Sequence, residues 1–155
     1  MTRGLNALMS SLEPEWAVAS RQFLDWLEGP VNQHDIVELI AWLDKLLKLG
    51  ERSVLPDLPD RDCLPYPDLP ADRHRRWVGI ASRRFSELAG SEGSHENGFV
   101  LDDLSDIAGD FELALAMRDA GQQPHDEFEW VLRYESHWGK HHALHLLNFL
   151  RSRYH

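Results

Sequence analysis

The chain has 155 residues and a single cysteine, Cys63. With one thiol no intrachain disulfide can form, and the sequence is not built for an oxidising compartment, so the cytoplasm is the expected location. Positive charge is also scarce, 16 Lys and Arg standing against 26 Asp and Glu for a formal net charge of −10. That field repels phosphate backbones, and nucleic acid is not an expected partner. No run approaches the roughly 18 apolar residues of a membrane span, and the opening "MTRGLNALMSSLEPEW" lacks the apolar stretch of a signal peptide. Neither membrane insertion nor export is expected. Also missing are a Gly-rich phosphate loop, a Gly-x-Ser-x-Gly turn and any His-Glu-x-x-His, so no complete catalytic set can be assembled. Strand signals are nearly absent, because no stretch alternates apolar and polar residues while being rich in Val, Ile and Thr.

What is present is helical. Hydrophobic residues make up 43% of the chain, with six Trp and six Phe. This length in one domain buries roughly two-thirds of its unfolded surface without disulfide or metal. Trp16, Ala19, Ser20, Phe23 and Leu27 share one face of a helix over 14–28, closed by Gly29-Pro30. Asn32 is the expected cap of a second helix running to Leu49 with Gly50 as its stop. Its two apolar stripes, Ile36/Ile40/Leu43/Leu47 and Leu39/Trp42/Leu46/Leu49, exceed one packing face. That makes the helix central or part of an interface, with Leu39 and Trp42 as the interface candidates.

Residues 54–70 hold five prolines and predict an extended loop, and their many leucines predict that it lies across the bundle. A third helix over 71–89 carries Arg73, Arg75, Arg76, Arg83 and Arg84. In an acidic protein these read as a solvated or salt-bridged face before they read as a phosphate site. The stretch 90–98, "GSEGSHENG", has the composition of a mobile loop, and 1–12 are expected to be flexible. A fourth helix spans 100–120 and stops at Gly121, and a last helical region runs from Pro124 to Arg153. Glycine within a helix costs only about 1 kcal/mol, so a break at Gly139 stays open. The expected architecture is all-α: a single-domain helical bundle of five or six helices over 1–155 with a long Pro-rich loop.

Two faces carry the chemistry. Asp103, Asp106 and Asp110 follow offsets of three and four into Leu113 and Met117, so three carboxylates share a line that becomes apolar one turn later. Partly desolvated, they require arginines of the third helix, histidines of the last, or a divalent metal. In "YESHWGKHHALHLLNF", phasing on an uninterrupted helix turns Glu135, Gly139 and His142 toward the core. The same phasing sets His137 and His141 nearly opposite and His145 on a flank. Glu135 and His142 are then a candidate buried polar pair, although a break at Gly139 would reset the phase and let His137 turn inward. Asp103, Asp106, Asp110, His141 and His145 are candidate metal ligands. Without the Glu-x-x-His spacing of di-metal bundles, capping, packing and salt bridging are the favoured reading, and no cofactor is expected.

The segments "LLKLGERSVLPDL" (46–58), "LDDLSDIAGDFELAL" (101–115) and "YESHWGKHHALHLLNFL" (134–150) resemble the bacterial family catalogued as domain of unknown function 5063. The resemblance covers most of 15–151 and is most specific at Asp103, Asp106, Asp110 and the His-Trp-Gly of 137–139. It implies a small all-helical cytosolic protein with no assigned activity, so no ligand or catalytic residue carries over. Ala108 and Gly109 depart from the family pattern, which usually has an aromatic and often a basic residue there.

The expected function is non-catalytic, an acidic helical module binding another protein or itself. The alternative is a metal-dependent hydrolase, acting on phosphate esters, with an Asp/His cluster between the last helices. A third reading, an immunity-like protein set against a basic toxin, rests on charge and size alone.

Overall fold

Pro14 opens the first helix, and its carbonyl accepts the backbone N–H of Ala17 and Val18. In the computed structural model, which describes residues 12–58, 65–86 and 95–154, this helix is α1, Glu15–Glu28. It is followed by α2 (Asp35–Arg52), α3 (Arg73–Arg84), α4 (His95–Asp119), α5 (His125–Ser136), a π-helical segment (Trp138–Ala143) and α6 (Leu144–Arg153). The bundle is all-α. It consists of five rods, the last broken between α5 and α6, and no strand occurs among the described residues. None of these helices is long and apolar enough to cross a membrane.

The apolar face read in α1 is the buried one: Trp16, Ala19, Ser20, Phe23 and Leu27 are all inside. The start of α2 differs from expectation. The Asn32 side chain accepts the His34 backbone N–H at 2.7 Å, Asp35 accepts that of Asn32 at 3.1 Å, and the helix begins only at Asp35. Gly50 does not stop it. The helix runs on to Arg52, and Gly50 serves close approach, since a Cβ there would fall 2.2 Å from Tyr134 Cδ2. Gly121 does end α4: at φ +76° its N–H returns to Arg118 and that of Gln122 to Met117, a Schellman closure.

The proposed interface on α2 is corrected. Leu39 is 0% exposed, and Trp42 is half-buried against Phe23 (5.8 Å) and Trp26 (6.3 Å). The physical reason is that α2 packs on two sides, against α1 and against the rod formed by α5, the π segment and α6. Two stripes meet two neighbours. The central helix is α4, which contacts α1, α3, α5, the π segment and α6. Phe111 of α4 sits amid Phe23 (5.7 Å), Trp130 (6.2 Å) and Trp138 (4.9 Å). Of the buried indoles, Trp130 Nε1 donates to Ser20 Oγ and Trp138 Nε1 to the Trp130 carbonyl, while Trp16 Nε1 meets no acceptor among the described residues.

Two arginines of α3 turn to carboxylates: Arg76 reaches Glu28 and Glu112, and buried Arg84 pairs with buried Asp35 at 2.9 Å. The expected loop at 90–98 is shortened, because 95–98 belong to α4, while 90–94 lie outside the described residues. Residues 1–11, and 59–64 with Cys63, lie outside them too. At 65–70 there is no regular structure, and two contacts reach α5 and the turn before it: Tyr66 Oη donates to Glu129, and Gln122 donates to the Pro65 carbonyl.

Candidate metal centre

The aspartate line of α4 is buried where its spacing predicts. Asp103 and Asp110 are 5% and 6% exposed, Asp106 is half-buried, and Leu113 and Met117 continue the line inside. Carboxylates in such a place need donors. Asp110 accepts Arg133 Nη1 at 3.0 Å and His137 Nδ1 at 2.5 Å. Asp103 gives one oxygen to His142 Nδ1 and the other to His145 Nδ1, both at 2.8 Å. His142 Nε2 lies 3.2 Å from Asp106 Oδ2. The cation for Asp110 thus comes from α5, not from the arginines of α3.

The histidines arrive there through a break in the helix. The last α5 residue is Ser136, His137 takes φ −144° and ψ −88°, and the next turn closes from the His142 N–H to the His137 carbonyl, five residues apart, at 3.0 Å. In an α-helix five residues advance about 500°, which leaves residues 137 and 142 about 140° apart. A π turn stacks them instead. Their rings meet edge to face with centroids 4.6 Å apart.

Tyr134 accounts for the wide turn. Its ring lies between Gly50 of α2 and Gly139, where a Cβ would stand 2.2 Å from Tyr134 Cδ2 and 2.5 Å from the Tyr134 carbonyl oxygen. Trp138 is buried beneath it.

These facts correct the phasing drawn from an uninterrupted helix. Glu135 is exposed and pairs with Lys140 at 2.5 Å, so it forms no buried pair with His142. His142 does turn inward, and His137 joins it. His141 is exposed, with its ring 4.7 Å from that of His142, and His145 is exposed above Asp103.

Among the described residues, the set whose ligand atoms converge is Asp106, His137 and His142, one atom of each lying within 4.8 Å of the others. Of the five ligand candidates named from sequence, only Asp106 belongs to it. Asp103 and Asp110 stand one layer out, fixing the imidazoles, while His141 and His145 line the adjoining cleft. Helical phase missed His137, although the break considered at Gly139 was the signal for it.

The cleft has a volume of about 610 Å³ and is lined by His74, Asp102, Asp103, Asp106, His141, His142 and His145. Burial alone would lower the basicity of His142, but the hydrogen bond to Asp103 and the charges of Asp106, Asp103 and Asp110 outweigh it. Its pKa is raised above 6.5. Burial also opposes the charge on Arg133, and Glu129 and Asp110 hold that charge more firmly.

Because an ionised carboxylate only accepts, the Nδ1 atoms of His137 and His142 both carry the proton, leaving Nε2 as the nitrogen able to meet a ligand. Comparison of the chain with protein-family models, curated proteins and solved structures gives no match.

Proposed function

We propose that this protein binds a divalent first-row transition metal through Asp106, His137 and His142 and uses it for hydrolysis. One observation carries the reading: each candidate histidine is held at Nδ1 by its own carboxylate from α4, His142 by Asp103 and His137 by Asp110. That second layer orients the ring and fixes the tautomer at metal-binding histidines generally.

Ligand bonds of about 2.0–2.2 Å require the three atoms to close to about 3–3.5 Å of one another. The present separation of up to 4.8 Å would have to shorten on binding. Asp106, His137 and His142 would hold the ion, which when bound would supply a water of pKa about 7 as the nucleophile.

Among the described residues, the cleft lining carries three aspartates and no Lys or Arg. The absence of a cationic anchor disfavours phosphate esters and favours a neutral or cationic ester or amide. The protein-binding reading loses its candidates, since Leu39 is inside the core and Trp42 packs on α1. For the immunity-like reading no particular surface speaks beyond the overall charge.

The test is calorimetric titration of untagged, chelator-stripped protein with zinc or manganese. We expect one ion per chain, with proton release as the metal displaces the Nε2 proton of His142. Asp106→Ala and His137→Ala abolish binding, and Asp110→Asn weakens it by about 10–100-fold. Absence of binding by the unaltered protein overturns the reading.

A further inference from the structure

His74, the second residue of α3, faces the same cleft from the side opposite the last rod. Its ring is exposed but not free to turn, because Nδ1 lies 2.8 Å from Ser105 Oγ. Ser105 is 2% exposed and directly precedes Asp106 on α4, and its hydroxyl also donates to the His74 carbonyl at 3.2 Å.

A hydroxyl has one proton, and a carbonyl can only accept. With the Ser105 proton given to the carbonyl, His74 Nδ1 carries its own proton and donates it to Oγ. The neutral ring is thereby fixed as the Nδ1–H tautomer, with the Nε2 lone pair bare. His74 is not one of the converging ligand set. It is a base facing that set across a cleft.

We propose that His74 is the general base for the reaction at this centre, and that Ser105 is its positioning residue. The proposal rests on the metal reading above. Nε2 of His74 would take a proton from a water at this centre, and the hydroxide so formed would attack the acyl carbon. The bond from that carbon to the leaving group then breaks, and the proton on His74 passes to the leaving alkoxide or amine. Ester and water become acid and alcohol. The charged or titratable groups sharing the cleft with His74 are Asp102, Asp103 and Asp106 of α4 with His141, His142 and His145 of the last rod.

Nitrogen-15 NMR of the metal-free full chain reads the tautomer directly. The Nδ1–H form at His74, lost in Ser105→Ala and restored in Ser105→Thr, is expected, and the Nε2–H form in the unaltered protein overturns the proposal whatever the metal does. With zinc-loaded protein and p-nitrophenyl acetate, His74→Gln lowers kcat by about 100-fold. Its zinc affinity stays within twofold of the parent. Equal kcat for parent and His74→Gln, with zinc bound to both, overturns the base and leaves the metal reading standing. A parent that binds no zinc overturns both.

Discussion

Asp35 and Arg84 are 4% and 3% exposed at their side chains, and among the described residues each is the other's one salt-bridge partner. Arg84 also stands 4.6 Å over the Trp26 ring, while its Nε and Nη1 find no acceptor among the described residues. Removing one partner leaves a buried charge uncompensated, so Asp35→Ala should destabilise the fold by about 3–5 kcal/mol in urea denaturation. The pair Asp35→Leu/Arg84→Met should recover most of that loss. A single substitution costing under about 1 kcal/mol would show the pair to be solvated. Nothing in the sequence tied Asp35 to Arg84. Asp35 is the first residue of a helix, where acids are common for local reasons, and its partner lies 49 positions away.

Among the elements, the faces of α1 and α4 could be read directly because apolar spacing is a local property. The same spacing predicted the aspartate line. What neutralises that line was beyond reach, since it depends on which rod lies opposite, and the rod in question changes phase at His137 for a reason held in α2. Gly50 and Gly139 both close on Tyr134. Gly50→Ala and Gly139→Ala should therefore each destabilise the protein by about 1–3 kcal/mol, and Tyr134→Ala in the same chain should make a further Gly50→Ala nearly neutral. Equal cost of Gly50→Ala in both backgrounds, measured by thermal denaturation, would dissociate the glycine from the ring. Gly50 looked like a helix stop because a glycine that admits a neighbour and a glycine that ends a helix are the same letter. Only the position of Tyr134 separates them.

For the whole molecule, the folded state raises the pKa of His142 above its ordinary 6.5. A group raised on folding stabilises the protein fully below the unfolded pKa, and that contribution disappears as pH climbs through the folded value. Metal-free protein should accordingly lose stability as pH rises past the ordinary histidine value of 6.5, and His142→Gln should flatten that loss. Parallel curves for the two proteins in chelator-treated urea melts would assign the slope elsewhere. Affinity at the proposed metal centre should run in the opposite direction, growing with pH as the competing proton leaves. Composition could set the class of fold and the acidic field, but it could not say that three of the nine histidines bear on three aspartates of one helix.

The π turn has a further consequence. It closes one residue later than an α turn, and Lys140 and His141 within it are exposed. Deleting Lys140 lets the segment close as α-helix while α5 and α6 keep their places in the bundle. Circular dichroism should then show an intact helical protein that no longer takes up metal. Loss of three nucleotides would separate a chain with a centre from one that is only scaffold. In descendants of this sequence, the fold can outlive its chemistry by a single codon.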